Sequence, residues 1–473
     1  MTPRFLLPAS SALALAACSV GPDYRPASAP PAAAGPFLSA DNPAIAASSA
    51  VDGHWWRLYD DPVLDRLVAD ALAANTDIRV AVARLARARA SLREVRGDRQ
   101  PQAGIGAAAQ QGRPPAGGRS GDLNLEIGLD VAYEVDLFGR AGRTAEAARG
   151  DVAAAAADAD SVRVAVAAET ARAYADATSS AERLAVAGRI VALLDRSLQL
   201  TERRREVGLA TRLDTARIAG LRDRRRAEMP ALAAERQAAL FRLATLTGRT
   251  PRELPPEAGE RRATLRLGRP IPVGDGAALL ARRPDVRAAE RRLAAATTRI
   301  GVATADLYPR IALGASVGSS GTGLGDIFGG NPISWLVGPL INWTLNRGAA
   351  RARVAGAEAD SQAALATFDG IVLRAIEETE TALFTYARQL DRRTALKAAR
   401  DEAEAAARIT RASQSEGQIG SLELLDAERT FADAEAGLAE ADARIATAQV
   451  DLFRALGGGW QSAPVTVGRR NGS

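Results

Sequence analysis

The two side chains most often used for nucleophilic and metal chemistry, cysteine and histidine, occur once each in this 473-residue chain, as Cys18 and His54. A zinc site needs several such ligands and a Ser-His-Asp relay needs partners for its imidazole, so neither can be built here. His54, in the run His54-Trp55-Trp56, reads as a structural contact, and the sequence is that of a protein with no catalytic residue, no metal and no cofactor. Carboxylates offer a different chemistry. Glu126, Asp130, Glu134 and Asp136 occupy even positions of Leu123–Leu137, and Glu423 and Asp426 stand three apart in the run SLELLDAE. Repeated around an aqueous passage, such acids would attract cations without transforming anything. The arginine runs Arg203-Arg204-Arg205 and Arg224-Arg225-Arg226 are interrupted by Glu202, Glu206, Asp223 and Glu228. With 61 basic and 56 acidic residues mixed along the chain, these runs read as solvated helix faces and not as a nucleic-acid patch.

Periodicity shows what must position the acids. Every odd residue of Leu123–Leu137 is apolar and the even ones are acidic, small or amide-bearing, which is the pattern of a strand with two unlike faces. Fifteen residues is long for a soluble strand, whereas about 9 to 11 tilted residues cross a bilayer. The stretch alone fits a membrane strand with lipid outside and water inside, or a long edge strand of a soluble sandwich. A sandwich needs many strands, yet most of this chain is alanine, arginine, leucine and glutamate in helical runs. Asp61 as N-cap and Pro62 behind it open a helix that runs to about Arg99, before Pro101. Ala103, Ile105, Ala107 and Ala109 alternate in a weaker strand, and the turn-rich Gly112–Gly121 joins it to the strong one. Helical composition resumes near Ala141 and continues to Glu206, roughly 66 residues or about 100 Å, so this helix must pack lengthwise against others. Val207-Gly208-Leu209 breaks it, and a return helix spans about Leu213–Leu246.

The second half repeats the first. Asp77 and Asp285, Pro101 and Pro309, Arg140 and Arg347, and Gly208 and Gly417 all recur at an offset of about 208 residues. A third strand alternates through Ile311, Leu313, Ala315 and Val317, and a fourth, Ile333–Leu345, through Trp335, Val337, Ile341 and Trp343. Between them Gly318–Gly330 leads into a strand and not a helix N-terminus, so it is a hairpin tip and no phosphate loop. Two hairpins give four membrane-length strands, and in lipid a sheet with two bare edges leaves backbone groups unpaired. Several copies must therefore pool their strands, two giving eight and three giving twelve. Glu126, Asp130, Glu134 and Asp136 would face the lumen; Leu125, Leu129, Val131, Tyr133, Trp335 and Trp343 would face lipid, the aromatics in the interfacial belt.

At the N-terminus, Arg4 and the apolar run Phe5–Ala17 have the layout of a secretory signal, too short to span a membrane as a helix. Leu15-Ala16-Ala17-Cys18 resembles the bacterial lipobox, which implies that Cys18 is acylated, and Ser19 after it implies sorting to the outer membrane. Residues 19–50, rich in Pro, Ala, Ser and Gly, read as an extended tether.

With that lipobox, GPDYRPA at Gly21–Ala27, HWWRLYDDPVLDRLV at His54–Val68, YEVDLFGR at Tyr133–Arg140 and ALGGGW at Ala455–Trp460 together resemble the TolC-like outer-membrane efflux factors. The likeness is strongest to the lipoprotein branch that serves resistance-nodulation-division pumps. It implies a membrane α+β fold: a homotrimer with one 12-stranded outer-membrane β-barrel, four strands per chain, continued by a long periplasmic α-helical barrel. It divides the chain into a signal peptide (1–17), a lipidated tether and equatorial segment (18–60), a first repeat (61–248), an equatorial linker (249–273), a second repeat (274–458) and a tail (459–473). It implies as partners a periplasmic adaptor and a proton-driven inner-membrane transporter, with this chain as the passive exit duct for drugs or other small toxic solutes. The break Val207-Gly208-Leu209-Ala210-Thr211 and its repeat Glu416-Gly417-Gln418-Ile419-Gly420-Ser421 are similar to the family's adaptor-docking tip turns. Glu423 and Asp426, with Asp214 as the first-repeat counterpart of Glu423, match the acids of the family's closed periplasmic entrance; no latch partner is evident at Ile419. The competing readings are the exit duct of a type I protein secretion system and a lipid-tethered periplasmic coiled-coil scaffold.

Overall fold

The computed structural model describes residues 19–27, 30–46, 53–112, 122–321, 327 and 333–458. The strands are β1 (Ile45–Ala46), β2 (Gln102–Gly112), β3 (Asp122–Val135), β4 (Ile271–Pro272), β5 (Arg310–Gly321) and β6 (Ser334–Asn342). The helices in regular α form are α1 (Pro62–Ala74), α2 (Thr76–Gly97), α3 (Arg140–Glu206), α4 (Arg212–Leu246), α5 (Gly276–Arg282), α6 (Pro284–Ala305), α7 (Gly348–Ser415) and α8 (Ser421–Ala455). The series α2-β2-β3-α3-α4 recurs as α6-β5-β6-α7-α8, so the offset read from single residues is a structural repeat. Its long helices match closely, with 67 and 68 residues in α3 and α7 and 35 in both α4 and α8. Among the described residues no helix is long and apolar enough to cross a membrane.

The chain falls into two compact units. One comprises residues 1–28, 83–156 and 287–370 and carries a four-stranded antiparallel sheet in the order β2-β3-β5-β6. The two hairpins thus join through β3 and β5, and β2 and β6 are left as the edges. The other unit comprises residues 29–82, 157–286 and 371–473 and carries the main apolar core. In that core Trp55 stacks on Phe453 at 4.5 Å between ring centres, and Tyr174, Leu243 and Leu383 are fully buried. Each such side chain contributes about 1.5–3 kcal/mol by leaving water. Asp61 caps α1 by accepting from the Val63 and Leu64 amides, and its other oxygen accepts from the Tyr174 hydroxyl and from Arg261, which ties the helix start to the core. His54 packs edge-on against Trp56, the structural contact its isolation implied.

Four expectations are revised. The helix from Pro62 to Arg99 is two helices, because Asn75 turns extended, accepts from the Asp77 and Ile78 amides as the cap of α2, and donates to the Leu246 carbonyl. The strong strand ends at Val135, two residues short of Leu137. The Asp136 carboxylate accepts from the Ala141 and Gly142 amides and so serves the start of α3, and strand alternation does not assign it to a lumen. The fourth strand is shorter than Ile333–Leu345, and Trp343 lies beyond it with its indole donating to the Leu307 carbonyl at 3.3 Å. The expected tether is docked over much of its length. Phe37 and Ile45 enter the core of the second unit, β1 pairs in parallel with β4, and Glu380 accepts from the Leu38 and Ser39 amides. Within the first unit Tyr24 donates to Glu290, and Asp23 pairs with Arg143.

Candidate functional site

In the sheet, strand register sorts side chains into two faces, since residues paired across strands point the same way. One row runs Ile105, Leu129, Val317, Trp335, and its neighbour runs Ala107, Ile127, Ser319. With Leu125, Val131, Tyr133, Val337 and Ile341 these make an apolar face, on which Ile105 and Trp335 are 80% and 74% exposed. The opposite face carries Glu126 beside Ala108 and Ser320, Asp130 beside Gly104 and Ser316, and Glu134 beside Ala312. Its next row, Gly106, Gly128, Gly318, Ser334, holds almost no side chain. Glu126 and Asp130 are exposed, while Glu134 is held by a bidentate contact from Arg140 at 3.0 and 2.6 Å. Leu336 and Leu340 also fall on the acidic face, so alternation is cleaner in β3 than in β6.

The two tip turns lie in the second unit and share one backbone design. Gly208 and Gly417 both sit at φ +78°, with open space where a Cβ would be, so the left-handed conformation is what demands glycine. The Leu209 amide donates to the Arg204 carbonyl and the Gln418 amide to the Ser413 carbonyl, each closing a long helix in a Schellman turn. The return helices begin differently. Thr211 and Asp214 form a capping box: the Thr211 hydroxyl accepts from the Asp214 amide, and the Asp214 carboxylate accepts from the Thr211 amide and hydroxyl at 2.9 and 2.7 Å. These hydrogen bonds, the side-chain one first, hold the Asp214 carboxyl below the usual carboxylate range. At the second tip Gly420 is the N-cap and supplies no side-chain hydrogen bond. Glu423 and Asp426 are exposed there on one face of α8. Around the turns Val207, Leu209, Leu213 and Leu422 are all more than half exposed. Further into α8, Glu428 is buried and accepts from Arg411 at 2.6 and 3.1 Å, with the Arg411 guanidinium 5.9 Å from the Phe431 ring centre.

A family model described as outer membrane efflux protein matches residues 67–249 and again 277–458, once on each repeat. The chain belongs to the outer membrane efflux protein family. Outer membrane protein OprJ of Pseudomonas aeruginosa is 32% identical over 469 residues, spanning 98% of this chain and 97% of its own length. The probable efflux pump outer membrane protein TtgC of Pseudomonas putida is 30% identical over 475 residues, spanning 97% and 96%. The solved outer-membrane channel OprN is 38% identical, with a TM-score of 0.87, covering 94% of this chain and 100% of its own. The likeness to TolC-like efflux factors seen in the motifs holds, and this chain is an outer-membrane component of an efflux system.

In this outer membrane efflux protein the structure brings Glu126, Asp130 and Glu134 onto one sheet face and sets the tip residues Val207–Thr211 and Gly417–Gly420 at equivalent turns. Asp214 takes part in a capping box with Thr211, whereas the N-cap at the second tip, Gly420, supplies no side-chain hydrogen bond. The Arg411–Glu428 pair leaves no local signal in the sequence, because its partners stand on different helices of a hairpin, seventeen residues apart. Cys18, most of the Gly112–Gly121 and Gly318–Gly330 loops, and the last residues of ALGGGW lie outside the described residues. Among the described residues no cluster of metal-ligating side chains occurs.

Proposed function

We propose that three copies of this efflux protein join their sheets edge to edge into one 12-stranded outer-membrane barrel, continued by a helical tube in the periplasm. The observation that carries this reading is the sheet: four strands, an exposed apolar face, an acid-bearing opposite face and two open edges. Lipid tolerates no such edges, and β2 of one copy can pair only with β6 of the next if a ring is to close. Cys18 carries a lipid anchor that assists targeting. The turns at Val207–Thr211 and Glu416–Ser421 dock a periplasmic adaptor, which couples the duct to a proton-driven inner-membrane transporter of the resistance-nodulation-division class. Solutes pass without chemical change. Glu423 and Asp426, one pair per copy, gather near the symmetry axis at the periplasmic entrance and favour cations there.

Leu129→Arg tests the barrel. The change places a charge in the middle of the apolar face and costs about 2–4 kcal/mol per chain at the bilayer midplane. Assembled rings should vanish from outer-membrane fractions on non-denaturing gels; undiminished assembly would refute the membrane sheet. The entrance is tested by Glu423→Gln with Asp426→Asn in planar bilayers. Cation selectivity should fall, and an unchanged reversal potential in a salt gradient would remove these acids from the gate.

A further inference from the structure

Short connections join the open edges of the sheet to helices, and exposed arginines stand on, or just before, the helical turns nearest the sheet. Arg96 and Arg93 stand six and nine residues before β2 begins, and Arg347 and Arg351 stand five and nine after β6 ends. The register pairs Gln102 with Ala132, Ile311 with Val135 and Arg310 with Asn342, so all four arginines lie toward the helical end of the sheet. Arginines elsewhere are commonly tied to carboxylates, as Arg189 is to Glu435 and Arg411 to Glu428. Among the described residues these four take part in no ion pair. Beside them are apolar groups open to the surroundings: Trp343 is 44% and Leu345 77% exposed, and the Arg347 guanidinium lies 5.2 Å from the Trp343 ring centre. A guanidinium over an exposed indole, next to an exposed leucine, is the composition of a lipid–water boundary.

Resting on the edge-to-edge barrel proposed above, we infer that each seam between copies binds the phosphate of an anionic phospholipid headgroup at this boundary. Closure brings β2 of one copy to β6 of the next, and with them Arg93 and Arg96 to the side of Arg347 and Arg351. Both pairs stand nine residues or fewer from the sheet, so they meet at matched depth. Glu94 and Asp98 offset part of the charge, yet on α7 no acid appears before Glu358. Like charges on both sides of a seam repel, and an anion between them turns repulsion into a bridge. Arginine suits the task because its planar fork accommodates phosphate oxygens in pairs. The apolar neighbours favour a lipid over free phosphate, since acyl chains cover Leu345 and the Trp343 face.

The assembled protein in non-ionic detergent, exchanged with equal amounts of phosphatidylglycerol and phosphatidylcholine, is read by native mass spectrometry. Wild type retains phosphatidylglycerol selectively, by about five-fold for each arginine engaged, and the preference shrinks as salt is raised. Replacing the four arginines by glutamine abolishes the preference and leaves the ring intact, because the repulsion and the lipid bridge that offsets it are lost together; replacement by lysine keeps a weaker preference, the charge remaining without the planar fork. Equal retention of both lipids by wild type would overturn the inference, as would undiminished preference in the glutamine variant. So would collapse of that variant to single chains, which would show that the arginines pair with a neighbouring copy. A wild type that fails to enter vesicles at all sinks the barrel itself, whereas one that enters, forms rings and shows no lipid preference sinks only the headgroup site.

Discussion

The two tips of this efflux protein are one backbone built twice with different side-chain chemistry. Both close a helix of 67 or 68 residues with a glycine at φ +78° and begin a 35-residue return helix. At the first, the acid is spent on structure: Asp214 completes a capping box with Thr211. At the second, Gly420 stands where Thr211 would be, and the equivalent acid, Glu423, remains on the surface with Asp426. Duplication fixed the turn because only positive φ satisfies it, and left the residues after it free to diverge. The consequence is a division of labour in which one tip holds its shape through its acid and the other presents its acids to solvent.

The largest expected effect is confined to the second tip. Arg411→Met leaves the buried Glu428 carboxylate without its bidentate partner. Stranding a buried charge costs about 3 kcal/mol, the lower end of the usual range because Arg411 is itself one-third exposed. Hydrogen exchange at the start of α8 should rise strongly while that at the start of α4 stays at the wild-type rate. Equal rises at both would show that the tips are not independent. A smaller effect should be common to both: Gly208→Ala and Gly417→Ala each force a side chain into the left-handed region and cost about 1–2 kcal/mol. Since neither site has atoms near a new Cβ, the two losses should match. Unequal losses, measured as shifts in thermal midpoint under one detergent condition, would mean that something other than φ distinguishes the turns.

How much of this was legible depends on the range of each interaction. The tip glycines and the strand alternation are local signals, visible as a break in helical composition and a period of two. The extra break at Asn75 lacked a glycine or proline to mark it, and a capping asparagine inside continuous helical composition looks like any polar surface residue. Asp136 continued the alternation of β3 by type, yet its hydrogen bonds go to a helix, a choice set by the next element in the chain. Phe37 and Ile45 are isolated apolar residues in a Pro- and Ala-rich stretch, and only the core they enter shows that the stretch is docked. The Arg411–Glu428 pair depends on how two antiparallel helices lie against each other, which no window along the sequence contains.

The smallest effect tests the division of labour most directly. Thr211→Ala removes the hydroxyl half of the capping box and costs about 1 kcal/mol, felt at the first turn of α4. Its partner makes the loss pH-dependent. Asp214 is held below its ordinary range, so its contribution is complete above the unfolded value, about 4, and disappears as pH falls through the lower folded value. Acidification should therefore bring wild type and Thr211→Ala closer together in exchange rate at α4, with Asp214→Asn showing little pH dependence there. At α8, where Gly420 offers no such cap, the same titration should leave wild type and Thr211→Ala indistinguishable. Cation selectivity supplies the reciprocal check: because the Asp214 carboxylate is engaged by the Thr211 amide and hydroxyl, Asp214→Asn should leave it unchanged. A selectivity loss in Asp214→Asn as large as that from neutralising Glu423 and Asp426 would end the distinction between the tips.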